Sequence, residues 1–190
     1  MQRCAHPHVC SLHDDYPLLD GGILMMVLEL LPGGSIEDKL KADGRLREFD
    51  VTAMAEQILG ALSFMHSKDV IHRDIKPGNL MLTQEGGQTK YKLIDFSVAS
   101  IEASQQKKVT RTLQETTKER AAFVGTPHYM SPEQFTSGVE VTVRTDLWSL
   151  GVVMYACLSG GQQPFAPGED DWHKISHAVV NTDARPLVEV

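Results

Sequence analysis

His72-Arg73-Asp74-Ile75-Lys76-Pro77-Gly78-Asn79 is the stretch on which the fold turns. It sets an acid, an amine and an amide within one short run, and twenty-one residues past Asp74 a second acid opens the triplet Asp95-Phe96-Ser97. Asp74 is a candidate proton acceptor and Lys76 a cation for an anionic ligand. Asn79 and Asp95 offer the hard oxygens that suit magnesium, one neutral and one charged. Asp95 follows the apolar segment Tyr91-Lys92-Leu93-Ile94, which places it at a strand end. Any one of these residues alone is an ordinary turn residue or solvated charge, so the reading rests on what surrounds them.

Composition bounds the class. The chain has 190 residues, 42% hydrophobic and 23% charged, which is globular rather than disordered and long enough for one domain with a core. Net charge is −7 and no long basic run occurs, so neither nucleic acid nor an acidic membrane is an expected partner. The apolar run from Ile23 to Leu31 is broken by Glu29 and is too short to span a bilayer. The first residues lack the apolar core of a signal peptide. Three cysteines (Cys4, Cys10 and Cys157) fit reduced thiols and an intracellular, cytoplasmic home. Cys4, His6, His8, Cys10 and His13 are zinc-ligand types, but their spacings fit no zinc module, and zinc is not expected.

Residues 23–31 read as a buried strand ended by Pro32-Gly33-Gly34. Ser35 followed by Asp38 resembles a capping box that opens a helix through about Lys41. Met54, Ile58, Leu62 and Met65 recur at helical spacing within 51–67 and predict an amphipathic helix beneath the His72–Asn79 run. Segments 79–83 and 90–94 flank Glu85-Gly86-Gly87 and predict a hairpin. Residues 98–122 are polar and predict either a mobile surface loop or a plain disordered insertion. Residues 145–159 predict a buried central helix stopped by Gly160-Gly161, with one further helix after Pro164-Phe165.

Two later runs fix the interpretation. Gly125-Thr126-Pro127-His128-Tyr129-Met130-Ser131-Pro132-Glu133 resembles the end of a kinase activation segment. Asp146-Leu147-Trp148-Ser149-Leu150-Gly151 resembles the start of the central helix of a kinase large lobe. With the H-R-D-x-x-x-x-N run and the Asp-Phe-Ser triplet in the same order, the chain is identified as resembling the eukaryotic protein kinases. The resemblance implies an α+β, protein-kinase-like fold. Residues 1–34 would form the last strands and hinge of the small lobe, and 35–190 a mostly helical large lobe, with the activation segment over 95–133.

It further implies ATP and Mg2+ as cofactors. Asp74, Lys76 and Thr126 would be catalytic, and Asn79 and Asp95 metal ligands. Nucleotide binding would fall to Leu28 as gatekeeper, the backbones of Glu29 and Leu31, Ser35, Lys76, Asn79, Met81 beneath the base, and Asp95. Leu12, His72 and Phe96 match a stacked apolar spine, and Asp146 would hold the backbone of the His-Arg-Asp turn. Lys76 and Thr126 resemble the Ser/Thr type, so the implied partners are protein substrates with a Ser or Thr acceptor and an upstream kinase acting on the activation loop. Ala122 stands at the usual phosphorylation position, so Thr116, Thr117 or a constitutive acid such as Glu119 is expected to serve any switch.

The chain also departs from the family pattern. No G-x-G-x-x-G and no V-A-I-K lysine precede the hinge, so a catalytic domain truncated at both ends is expected, with marginal stability and Glu133 left without its arginine. Ser97 replaces a Gly whose backbone angles Ser would restrict. Ser35 and Gly78 occupy positions that carry acids in arginine-directed relatives, so strong selection for basic substrates is not expected. The alternatives are a catalytically silent kinase-like binding or scaffold module and a bare nucleotide-binding regulator. Retention of Asp74, Lys76, Asn79 and Asp95 counts against the first.

Overall fold

The apolar stripe Met54, Ile58, Leu62 and Met65 recurs every three to four residues, and each of these side chains is at most 1% exposed in a computed structural model of the chain. The structure describes residues 5–18, 23–97, 99–101 and 126–187. The stripe lies on helix α2 (Glu48–His66), which follows α1 (Ile36–Asp43). Burial of such a side chain contributes about 1.5–3 kcal/mol. The surfaces that receive it are a hairpin, β4 (Leu80–Glu85) and β5 (Gln88–Leu93), and helix α4 (Arg144–Ser159).

The hairpin turn uses Gly86 at φ 57° and Gly87 at φ 76°, left-handed angles at both central positions, which match the twist of the paired strands. Helix α1 begins with the expected box: Ser35 accepts from the Asp38 N–H at 3.1 Å, and the Ser35 N–H donates to the Asp38 carboxylate at 2.9 Å. It runs slightly past Lys41 to Asp43. Helix α4 ends at Gly160, whose left-handed backbone (φ 77°, ψ 37°) lets Gly161 N–H reach the Ala156 carbonyl at 2.7 Å.

Three two-stranded antiparallel sheets complete the described strands. β1 (Leu12–Leu18) pairs with β2 (Ile23–Leu28), β3 (Val70–Ile71) with β6 (Ser100–Ile101), and β4 with β5. A short helix α3 (Pro132–Phe135) and the terminal helix α5 (Trp172–Asn181) gather a second cluster around Phe165, Ile175 and Val179. Mixed helices and short strand pairs are thus present, as expected.

One expectation is corrected. β2 forms, but it is not buried: Met25, Met26, Val27 and Leu28 are 40–50% exposed. Its chief neighbour is β1, whose Asp14, Asp15 and Tyr16 are themselves exposed, so no described layer covers it. Glu133 is only partly buried, so the full penalty of an enclosed, unpaired carboxylate does not apply. Ala122 and the loop threonines lie outside the described residues.

Beyond β2 the chain presses onto the hairpin. Gly33 N–H donates to the Leu82 carbonyl at 3.0 Å and Leu82 N–H to the Gly34 carbonyl at 2.8 Å. A Cβ on Gly33 would lie 2.5 Å from the Leu82 oxygen, an approach no side chain tolerates without backbone movement. Gly33→Ala is expected to cost about 1–3 kcal/mol, as overpacking does, read as a lowered urea midpoint. A midpoint within error of the parent would contradict this packing.

Candidate active site

The His72–Asn79 run is held from below by one buried acid. Asp146, fully buried at the start of α4, accepts the His72 N–H at 3.0 Å and the Arg73 N–H at 2.9 Å. His66, the last residue of α2, places its Nε2 2.8 Å from the same carboxylate. These bonds support a tight turn in which Arg73 adopts φ 68°, a left-handed angle costly for a non-glycine residue.

His72 itself is buried. Its Nε2 lies 3.0 Å from the Ile94 carbonyl and its Nδ1 accepts the Asp74 N–H at 3.3 Å, so a neutral ring with the proton on Nε2 satisfies both. Burial pushes its pKa below the ordinary value, which favours that neutral form. The ring packs at 5.0 Å against Phe96, joining two of the three expected spine positions.

Asp74 is 8% exposed. Its Oδ2 accepts Lys76 Nζ at 2.7 Å and Asn79 Nδ2 at 2.9 Å, while Asn79 Nδ2 also reaches the Asp74 carbonyl at 2.8 Å. The other oxygen, Oδ1, takes no hydrogen bond among the described residues and is not sealed from solvent. One oxygen is therefore fixed and the other free to accept a proton. Asn79 commits its amide nitrogen to Asp74, which leaves its carbonyl oxygen as the atom a hard cation would take.

Ile94 N–H donates to the backbone carbonyl of Asn79 at 3.0 Å, which leaves the side-chain oxygen free and draws the end of β5 and Asp95 alongside Asn79. Asp95 is exposed, and hydrogen bonding from Ser97 holds its carboxyl below the ordinary carboxylate range. The expectation that Ser97 resists unusual backbone angles meets a different geometry. The left-handed angle falls on Asp95 itself (φ 62°), and Ser97 closes the turn through its N–H at 3.1 Å.

Lys76, Gly78 and Thr126 border an open cleft of about 390 Å³, with Glu37, His128 and Tyr129 on its other walls. Thr126 makes no hydrogen bond to Asp74 or Lys76. It shares the cleft with Lys76 and caps a 3₁₀ turn through its carbonyl, which accepts the Tyr129 N–H at 3.0 Å.

Residues 29–31, expected as the hinge, lie between β2 and α1. Leu31 is buried, yet its backbone N–H and carbonyl make no hydrogen bond among the described residues. Glu29 gives its N–H to the Ser11 carbonyl at 2.9 Å, and among the described residues its carbonyl meets only the Cys10 thiol at 3.9 Å. A free donor and a nearly free acceptor two residues apart fit the edge of a purine base. Leu28 is 40% exposed, and Met81 is half-buried opposite Ser35. The Ser35 hydroxyl is committed to its cap, donating to Asp38 at 2.7 Å.

Two contributors were missed in the sequence. Lys92, 6% exposed within β5, forms a close ion pair with Glu29 and lies 3.6 Å from Glu85. Burial alone would raise the Glu29 carboxyl, but hydrogen bonds from Lys92 and Ser11 outweigh it and hold the group below its ordinary value. A lysine in the middle of an apolar strand was the available signal. His66 carried none beyond its place at the end of α2. At the N-terminal end, His6 stacks on Phe64 at 5.3 Å and His8 Nδ1 lies 2.9 Å from the Tyr91 carbonyl. Both rings thus have packing roles, while Cys4 lies outside the described residues.

Comparison with known proteins gives the chain a family. The family model described as the protein kinase domain matches residues 1–186. A calcium and calcium/calmodulin-dependent serine/threonine-protein kinase of Oryza sativa subsp. japonica is 30% identical over 96% of this chain and 35% of its own length. Its counterpart in Lilium longiflorum is 33% identical over 96% of this chain and 34% of its own. Mitogen-activated protein kinase kinase 1 of Arabidopsis thaliana is 34% identical over 86% of this chain and 41% of its own. The chain thus spans well under half the length of these relatives.

Proposed function

Because the chain belongs to the protein kinase domain family, we propose that it supplies catalytic machinery of a serine/threonine protein kinase, which moves the γ-phosphate of ATP to protein Ser or Thr hydroxyls. The observation that carries this reading is the state of Asp74, with Oδ2 tied to Lys76 and Asn79 and Oδ1 left free. Phosphoryl transfer asks little covalent chemistry of the protein; it needs an oriented acceptor and neutralised phosphate charge. Asp74 accepts the hydroxyl proton through Oδ1 as the acceptor oxygen attacks the γ-phosphorus and the bond to the β,γ-bridging oxygen breaks, releasing ADP. Lys76 orients that carboxylate and sits where it can balance negative charge on the transferred group. Thr126, on the same cleft, positions the acceptor segment.

Asn79 and Asp95 would hold magnesium, which supplies counter-charge to the phosphates when bound. The free backbone groups of Glu29 and Leu31 would take the adenine edge, with Leu28 beside it and Met81 beneath, and Ser35 at the ribose end. In this reading residues 1–34 belong to the small lobe and hinge, 35–190 to the large lobe, and 95–133 to the activation segment, on which an upstream kinase would act. The names of the relatives support the Ser/Thr acceptor.

The test is nucleotide binding by the chain. With magnesium and ATP at a hundredfold excess over Kd, the melting temperature should rise by about 5–10 °C. Asp95→Ala should abolish the magnesium-dependent part of the rise. An undiminished shift in the variant removes Asp95 as a ligand, and no shift in the parent removes nucleotide binding by this chain.

A further inference from the structure

Lysine is almost never enclosed without a reason, because its ammonium is strongly hydrated. Lys92 is enclosed, and its neighbours on β5, Tyr91 and Leu93, are 3% and 0% exposed within the core. Strand alternation sends Lys92 to the opposite face of the hairpin. There it is paired across the sheet with Met81, the residue expected beneath the base, and it stands three positions before Asp95. Its ion-pair partner is Glu29, at the start of the hinge. The second oxygen of Glu29 accepts the Ser11 N–H at 3.1 Å, so the carboxylate joins the hinge, the entry to β1 and β5 in one knot. The other end of the hinge is pinned separately, at Gly33 and Gly34 on Leu82. Leu31, with its unbonded N–H, lies between the two anchors.

We propose that Lys92 is a positioning residue that sets adenine-nucleotide affinity by clamping Glu29, an inference that rests on the nucleotide-binding reading above. It touches no reacting atom. It holds the hinge in the one arrangement in which the Glu29 carbonyl and the Leu31 N–H face a ligand together. Without the cation the half-enclosed Glu29 carboxylate turns toward water, and the first anchor is lost. Affinity then falls by the fraction of time the hinge spends out of register.

The experiment measures Mg·ADP binding by calorimetry and amide exchange over residues 28–31, on the 190-residue chain and its variants. Lys92→Met and Glu29→Gln should each raise Kd about tenfold and speed exchange in the hinge. The double variant, which removes both charges and so keeps the fold if Lys92→Met alone does not, should show about the same tenfold loss rather than the product. Lys92→Arg should recover most of the affinity, and Glu85→Gln, which removes the more distant acid, should leave it unchanged. A Kd for Lys92→Met within about twofold of the parent, or two losses that multiply, overturns the proposal. If the parent binds no Mg·ADP, the nucleotide reading and the affinity role fall together. Hinge exchange that stays unchanged in Lys92→Met overturns the clamp itself.

Discussion

Asp74→Asn should reduce phosphate transfer by about 10³–10⁴-fold, a barrier increase of about 4–5 kcal/mol. The substitution is nearly isosteric. The asparagine carbonyl can still accept Lys76 and Asn79, as Oδ2 does at 2.7 and 2.9 Å, so the loop keeps its shape. What disappears is the free carboxylate oxygen that, in the proposed reaction, would take the acceptor proton. The checks are a radiolabelled phosphate-transfer assay with a Ser/Thr peptide and a parallel melting curve. Lost transfer with an unchanged melting temperature fits a catalytic base. Transfer at the parental rate removes Asp74 from the chemistry. A parent that transfers nothing favours the silent module.

Asp146→Ala should be the most destabilising single change in the described core, at about 3–5 kcal/mol. It strips one carboxylate from three donors: His72 N–H, Arg73 N–H and the His66 ring. Asp146 is fully enclosed, as is His72, so water cannot replace the lost acceptor. Against a typical domain stability of about 5–15 kcal/mol the loss is a large share. It also releases the left-handed turn at Arg73, which Asp74 follows. A urea titration should show the lowered midpoint. Transfer activity assayed well below that midpoint should still be reduced, because the turn no longer presents Asp74. Full activity in the surviving folded fraction would assign Asp146 to stability alone.

Much of this arrangement could be read in the sequence because it is written in local rules. Glu85-Gly86-Gly87 specifies a turn whatever surrounds it, and it is the hairpin turn. The spacing of Met54, Ile58, Leu62 and Met65 specifies a helix face, and that face is buried. Ser35 and Asp38 specify a helix start through bonds they make with each other. The acid at Asp146 was assigned to the His-Arg-Asp turn by family resemblance, and its two backbone bonds are present.

What could not be read depends on partners distant in the chain. Apolar residues in β2 promise burial only if another layer covers them, and sequence cannot say whether one does. Lys92 looks like an edge residue until Glu29, sixty-three positions earlier, is brought beside it. His66 gains its role only when Asp146 arrives from eighty residues away. Thr116 and Thr117 lie outside the described residues, so their roles stay with the proposal.

The link between His72 and Asp146 has a consequence for biosynthesis. Seventy-four residues separate the two ends of that bond. At the usual rate of elongation that is about 4–15 s of translation. Throughout that interval the nascent His-Arg-Asp turn has no acceptor for its strained backbone, while α2 and the hairpin can already close on each other. The turn is therefore set late, by the arrival of α4, and a chain released from the ribosome before Asp146 would carry every residue of the loop without its shape.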